Sequence, residues 1–255
     1  MDELRFDGRV VAITGAHHGL GRAHARFLAG RGARIVVNDV QGADETVAMI
    51  RDAGGEAIES TSDITTGAGT DEIVRAALDT WGRLDVIVNN AASGSGTVPD
   101  EEMVRHTLGV HFVGTVNLVR SALPVFRDQR HGRIVNTGSG SVLGIPHTGI
   151  YAAGKGAVMA FSKVLANELR QEPDLDITVN VIMPVAQTPI MPRVPDAEFQ
   201  ALLDHAFAPE RTSPLVAVFA HESCPVSGEL VQTGGGRVAR FVFALGGGTT
   251  EVACL

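Results

Sequence analysis

The sequence predicts an α/β fold, a doubly wound parallel sheet (Rossmann-type) of about seven strands with helices on both faces. Three observations lead to this prediction. Short runs rich in Val and Ile alternate with longer stretches of helical periodicity. The short runs are apolar on both faces, as strands buried between two layers of helices are. A hydrophobic fraction of 44 % over 255 residues suffices for one large core, so we expect residues 1–255 to form a single domain.

The predicted elements alternate regularly along the chain. The strand-like runs lie at 10–14, 34–39, 56–60, 86–89, 133–137 and 177–183. The stretches with helical spacing of their apolar residues lie at 20–31, 42–53, 69–81, 101–129 and 151–172. Because a helix between two strands returns the chain to the same edge of the sheet, we expect the strands to be parallel.

One proline-rich segment, 184–214, interrupts this alternation. Long segments of this kind inside a domain are either functional lids or disordered loops. The helical pattern at 197–207 favours a lid rather than a disordered loop. After the lid, the pattern predicts one helix and two strands joined by a glycine turn, at 214–221, 229–233 and 237–245.

Composition and charge exclude several classes of function. A net charge of −8 argues against a general nucleic-acid surface, and no run of apolar residues is long enough to span a membrane. Two cysteines cannot form a disulfide scaffold, and the acidic N-terminus is unlike a signal peptide, so we expect a cytoplasmic protein. None of the nine histidines falls in a metal-binding pattern, so no metal is expected. A small-molecule substrate remains as the expected partner.

A glycine-rich turn follows the first predicted strand. Its sequence is Thr14-Gly15-Ala16-His17-His18-Gly19-Leu20-Gly21, with a helix beginning inside it. Glycines let the backbone approach a diphosphate, and the free N–H groups at a helix start favour its charge. The alternative is that the glycines serve only the geometry of the turn. The position between strand and helix favours a pyrophosphate site.

Two carboxylates follow the second and third predicted strands. Asp39 lies where it can accept hydrogen bonds from the adenosine ribose and repel a 2′-phosphate, which favours NAD over NADP. The alternative role for Asp39 is an N-cap of the next helix. For Asp63, the two alternatives are a helix cap and a contact with adenine.

The single tyrosine of the chain, Tyr151, stands four residues before Lys155, one of only two lysines. This spacing puts both side chains on one face of a helix. Lowering a tyrosine pKa from about 10 to about 7 takes about 4 kcal/mol. An ammonium about 4 Å away supplies about 4 kcal/mol at an effective dielectric near 20. With Ser139 at the same sheet edge to hold the reacting oxygen, the pair suits general acid–base chemistry on an alcohol or ketone.

These motifs resemble the short-chain dehydrogenase/reductase family, from about residue 6 to about residue 245. The matching pieces are the glycine turn, Asp39, Asp63, Asn89-Asn90-Ala91, Ser139, Tyr151-x3-Lys155 and Asn180-Val-Ile-Met-Pro184. The resemblance implies an acid/base role for Tyr151, a pKa-lowering and ribose-binding role for Lys155, and an orienting role for Ser139. It also implies an NAD site that includes Tyr151 and Lys155 together with Gly15, His18, Gly19, Leu20, Gly21, Asp39, Asp63, Ile64, Asn89, Ala91, Pro184 and Thr188.

Within the family, the chain is most similar to the dehydrogenase unit of multifunctional enzyme type 2, a 3-hydroxyacyl-CoA dehydrogenase, and its stand-alone bacterial relatives. The shared segments are 36–39, 110–114 and 214–224. His111 stands where most of the family has the Asn that anchors a proton-relay water, so we include it among the catalytic candidates. Ser141 is the alternative to Ser139. The resemblance implies a homotetramer packed through 101–129 and 151–172. The alternative function is a non-catalytic NAD-binding sensor.

Overall fold

The structure, a computed structural model, describes residues 3–93, 100–188 and 194–244. Its strands, in chain order, are β1 Val10–Thr14, β2 Arg34–Asn38, β3 Glu56–Ser60, β4 Val86–Asn89, β5 His131–Thr137, β6 Asp176–Pro184, β7 Leu230–Gly234 and β8 Arg237–Phe241. They form one sheet in the order β3-β2-β1-β4-β5-β6-β7-β8. All neighbours are parallel except β7 and β8, which are antiparallel. The doubly wound fold is confirmed.

The sheet has eight strands in the described ranges, where the sequence predicts about seven. The last strand, β8, lies within the run predicted as a strand at 237–245, and it returns along β7 through a turn at Gly235 and Gly236. Both glycines have positive φ, 58° and 78°, and a tight hairpin needs this conformation. Of the predicted strand 237–245, residue 245 lies outside the described part of the chain.

The helices lie on both faces of the sheet. They are α1 Gly19–Ala29, α2 Asp44–Asp52, α3 Gly67–Trp81, α4 Glu101–Leu108, α5 Gly114–Gln129, α6 Gly149–Leu169, α7 Ala197–Ala206 and α8 Ser213–Ala220. Val11 and Ile13 of β1 pack with α1, α2 and α8, while Val10 and Ala12 pack with α3, α5 and α6. Successive residues of a strand point to opposite faces, so these strands are apolar throughout.

The helix predicted at 101–129 is divided into α4, a π-helical turn at Gly109–Val113, and α5. The wide turn inserts one residue without ending the helix, and the hydroxyl of Thr115 donates to the carbonyl of His111 at 2.8 Å. The stretch Glu101–Gln129 is long and apolar enough to cross a membrane by length and composition alone, with a mean hydropathy of 1.2. In this fold Leu118 and Phe126 on its inner face are buried in the core.

The segment after β6 returns to the carboxyl edge of the sheet. Of the expected lid 184–214, residues 189–193 lie outside the described residues. The helix expected at 197–207 is confirmed as α7, and a 3-10 turn at Pro209–Thr212 joins it to α8. The amide of Gln187 donates to the carbonyl of Phe207 at 2.8 Å, which ties the two ends of the segment together.

Candidate active site

The candidate site lies at the carboxyl edge of the sheet, where β1 separates β2 from β4. The chain runs outward to β3 on one side of β1 and outward to β8 on the other, so β1 and β4 flank the topological switch point. Helices leave opposite faces of the sheet at such a point, and the crevice between them is where open α/β sheets bind ligands. The glycine turn and the residues after β4 border this crevice.

The glycine turn is packed tightly against the end of β4. Gly15 has φ 64°, and a Cβ there would lie 2.6 Å from the Cα of Ala91. A Cβ on Gly21 would overlap the carbonyl oxygen of Gly15 and lie 2.7 Å from Nδ2 of Asn90. That amide donates to the carbonyls of Thr14 and Gly15, each at 3.0 Å. Only glycine fits these two positions.

The start of α1 offers free donors to an anion. The N-cap residue is the exposed His18, whose side chain makes no capping hydrogen bond. Leu20 in the first turn is half-buried, and the methyl group of Thr188 lies 3.9 Å from where a Cβ would stand on Gly19. The N–H groups of a helix start and a backbone cradle without side chains fit a pyrophosphate.

Asp39 follows β2 and its carboxylate is held in place by the backbone. It accepts from the amides of Gln41 at 3.0 Å and His17 at 3.3 Å. The N-cap of α2 is Ala43, so the alternative of a helix cap is wrong for Asp39. A fixed negative charge beside the glycine turn fits a ribose with free hydroxyls.

Asp63 caps a turn ahead of α3. Its carboxylate accepts from the amide of Thr65 at 2.8 Å, while the helix N-cap is Thr66. Its neighbour Ile64 is buried and packs against the start of α5 at Gly114. Contact of either residue with adenine stays a prediction.

Ser139, Tyr151 and Lys155 come together as the sequence predicts. Ser139 follows β5 and is the N-cap of a 3-10 turn at Gly140–Leu143. Its hydroxyl lies close enough to the phenol of Tyr151 on α6 to lower the pKa of that phenol. The ammonium of Lys155, one helical turn later, lies 5.9 Å from the centroid of the tyrosine ring. Ser141, the alternative, is buried, and its hydroxyl has no partner among the described residues.

Burial sets the protonation states of this pair. It raises the pKa of Tyr151 from its ordinary value, and the nearby hydroxyl of Ser139 lowers it in part. Burial also lowers the pKa of Lys155 to about 8. The sequence predicts a lowered tyrosine pKa, and the structure shows the opposite direction. The physical reason is that desolvation penalises the phenolate more than its neighbours stabilise it in this structure.

His111 lies inside the π-helical turn and is fully enclosed, with 1 % of its surface exposed. Its Nε2 accepts from the amide of Ser93 at 2.9 Å, and its ring contacts that of Tyr151 edge to face at 4.9 Å. A Cβ on Gly154 would lie 3.0 Å from its Nδ1. Burial and the charge of Lys155 lower the pKa of His111 to about 3, so the imidazole is neutral.

Unpartnered polar atoms collect around this crevice. Within the described ranges, eight buried side-chain nitrogen or oxygen atoms have no hydrogen-bond partner. Five of them lie at the last residue of β4 or β5, in the segment that directly follows one of these strands, or on His111. These five are Asn89 Oδ1, Ser93 Oγ, His111 Nδ1, Thr137 Oγ1 and Ser141 Oγ. Buried polar groups in native proteins are normally satisfied, so this set fits a polar ligand in the crevice. The residues therefore fit a nicotinamide dinucleotide.

The sequence predicts no role for Asn90 or Ser93. In the structure Asn90 hydrogen-bonds to the glycine turn, and Ser93 hydrogen-bonds to His111. Because both residues follow a buried strand, the sequence indicates that they lie at the carboxyl edge of the sheet. Their hydrogen-bond partners depend on the fold and are not predictable from the sequence. Pro184, expected near the cofactor, ends β6 and pairs with Thr233 of β7.

Comparisons with known proteins agree with this geometry. A family model described as short chain dehydrogenase matches residues 9–197. Peroxisomal multifunctional enzyme type 2 of Mus musculus is 36 % identical over 254 residues, which cover 93 % of this chain and 33 % of that protein. Peroxisomal hydratase-dehydrogenase-epimerase of Saccharomyces cerevisiae is 36 % identical, with 94 % of this chain and 26 % of that protein covered. The chain thus spans about a third or less of these two relatives.

A solved structure is similar over nearly the whole chain. The crystal structure of a short chain dehydrogenase from Mycobacterium avium has a TM-score of 0.85 and 31 % identity, and covers 97 % of this chain and 89 % of that one. Sequence and topology therefore agree. The chain belongs to the short chain dehydrogenase family of oxidoreductases.

Proposed function

We propose that the chain transfers a hydride between NAD(H) and a secondary alcohol or ketone, with a 3-hydroxyacyl thioester or another apolar hydroxy compound as substrate. The observation that carries the proposal is the assembly of Ser139, Tyr151 and Lys155 beside the glycine turn. A module that only binds NAD has no need of this assembly, so the non-catalytic alternative is not favoured.

Tyr151 is the acid/base of the proposed reaction. The substrate hydroxyl binds between the phenol of Tyr151 and the hydroxyl of Ser139, which lie close to each other in this structure. During reduction the phenol of Tyr151 donates its proton to the carbonyl oxygen of the substrate. During oxidation Tyr151 first loses its proton to solvent, and the phenolate then takes the hydroxyl proton of the substrate. When bound, NAD supplies the hydride acceptor or, in reduced form, the hydride.

Lys155 supplies the charge that makes this proton transfer feasible. With its pKa at about 8, the side chain is protonated at neutral pH. The ammonium lies 5.9 Å from the centroid of the tyrosine ring. Two opposite unit charges about 6 Å apart attract each other by about 3 kcal/mol at an effective dielectric near 20. This attraction exists only when the tyrosine ionises, so it favours the ionised intermediate over the resting phenol.

The proposed cofactor is NAD rather than NADP. Asp39 holds a fixed carboxylate at the end of β2, and neither Val40 nor Gln41 after it offers a cation for a 2′-phosphate. The test is the binding of NADH and NADPH to the purified chain. We expect the dissociation constant for NADPH to be at least about tenfold higher, and tighter binding of NADPH would contradict the proposal.

The proposed substrate class rests on the segment we interpret as a lid. Helix α7 exposes two large apolar side chains, Phe199 at 51 % and Leu202 at 58 %. An apolar cover suits an acyl chain. Relatives that contain a similar domain carry the names multifunctional enzyme type 2 and hydratase-dehydrogenase-epimerase.

The test for turnover uses NAD and a panel of D-3-hydroxyacyl thioesters, steroids and small secondary alcohols, followed by nicotinamide absorbance. We expect turnover to be fastest with a hydroxyacyl thioester. Binding of NADH without turnover of any class would favour the sensor alternative.

We also propose a homotetramer packed through α4, α5 and α6. The stretch Glu101–Gln129 is apolar, yet only 33 % of its most hydrophobic window is buried in one copy, and Val113 and Val164 are 42 % and 56 % exposed. Light scattering of the purified protein tests this assembly. The expected cytoplasmic location stays a prediction, since both named relatives are peroxisomal.

A further inference from the structure

A buried chain of hydrogen bonds crosses the molecule from α6 to the end of β4. The hydroxyl of Ser162 on α6 lies 2.7 Å from the carbonyl of Val158. Nδ2 of Asn136 on β5 lies 2.8 Å from that hydroxyl, and Nδ2 of Asn89 on β4 lies 2.9 Å from Oδ1 of Asn136. Ser162 and Asn136 are 0 % exposed and Asn89 is 4 % exposed, so water does not compete with these bonds.

The donor-to-acceptor direction of these hydrogen bonds is fixed at the end that lies on α6. A carbonyl oxygen can only accept, so the proton of Ser162 points to Val158. The serine oxygen must then accept from Asn136, which leaves Oδ1 of Asn136 to accept from Asn89. Each amide is thereby locked in one of its two orientations.

Asn89, the last residue in this series of hydrogen bonds, has a side-chain acceptor without a donor. Oδ1 of Asn89 is buried and has no partner in the described part of the chain. Asn89 is the final residue of β4, at the switch point that borders the proposed cofactor site. A buried acceptor without a donor is costly, so the position calls for a donor that arrives with a ligand.

We propose that Ser162 and Asn136 are positioning residues that present Oδ1 of Asn89 to a hydroxyl or amide donor of the nicotinamide cofactor. This inference rests on the proposed function, and it adds two residues that touch neither cofactor nor substrate. Without an acceptor at position 162, either orientation of the Asn136 amide leaves one of its groups unpaired. The Asn136 amide then has no preferred orientation, so it no longer fixes the orientation of the Asn89 amide.

The experiment compares two serine-to-alanine variants. Ser162→Ala interrupts the series of hydrogen bonds, while Ser213→Ala removes another fully buried hydroxyl, 2.9 Å from Nδ1 of His24 on α1. Both variants are expected to lower the thermal midpoint to a similar extent. We expect Ser162→Ala to weaken NADH binding about five- to tenfold and Ser213→Ala to leave it within about twofold, as measured by calorimetry.

Conservative variants separate orientation from general packing. Ser162→Thr restores the hydroxyl and is expected to restore NADH affinity to within about twofold of the wild type. Ser162→Cys keeps the volume with a weaker acceptor and is expected to give an intermediate affinity. It also serves if Ser162→Ala does not fold.

The outcomes distinguish this inference from the proposed function. If the wild-type chain binds no NADH, the proposed function fails. If the wild type binds NADH and Ser162→Ala loses no more affinity than Ser213→Ala, the positioning role alone is overturned.

Discussion

Protonation of His24 is expected to destabilise the protein as the pH falls. The side chain is fully buried on α1, where burial lowers its pKa from 6.5 to about 3. A histidine with a depressed native pKa favours folding above its unfolded pKa, and this stability is lost as the pH falls from about 6.5 toward 3. Between about pH 7.5 and about pH 5, protonation of the unfolded chain removes about 2 kcal/mol per such residue.

The perturbation that isolates this effect is His24→Asn. An asparagine amide can replace Nδ1 and keep the bond to Ser213, but it does not titrate. His111, which has a similar pKa, is present in both proteins, so its effect cancels. Urea unfolding at the two pH values should show the wild type losing about 2 kcal/mol more than the variant. An equal loss in both proteins would refute the reasoning.

Three further predictions concern the cofactor cradle and the opposite edge of the sheet. Gly21→Ala places a Cβ against the carbonyl of Gly15 and should weaken NADH binding at least about a hundredfold by calorimetry; retained affinity would contradict the tight turn. Asp39→Ser removes the fixed carboxylate and should reduce the preference for NADH over NADPH at least about tenfold, and an unchanged ratio would remove Asp39 from cofactor choice. Asp85→Asn should cost about 3 kcal/mol in urea unfolding, because the buried carboxylate accepts from Arg9, Arg83 and the amide of Val10; a loss below about 1 kcal/mol would contradict this.

The sequence was sufficient for the features that depend on local pattern. Residues close together in the sequence were enough to predict the apolar strands and the glycine turn. The same holds for the placement of Tyr151 and Lys155 on one helix face. The π-helical turn was not predictable, because Gly109–Val113 inserts one residue into a helix whose apolar periodicity continues on both sides.

Features that depend on tertiary contacts needed the structure. Asn89 and Asn136 are 47 positions apart and become neighbours only because β4 pairs with β5 in a register that places them side by side. The direction of the pKa shift of Tyr151 depends on how deeply the site is buried, which its helical spacing does not reveal. The carboxyl-edge position of the site was predictable, and its electrostatic balance was not.

Substitution of Tyr151 tests the central claim most directly. Tyr151→Phe removes the phenolic oxygen and keeps the ring that contacts His111. With NAD and the best substrate of the panel, we expect kcat to fall by about a thousandfold, while the dissociation constant for NADH stays within about threefold of the wild type. Turnover near the wild-type rate would contradict the account.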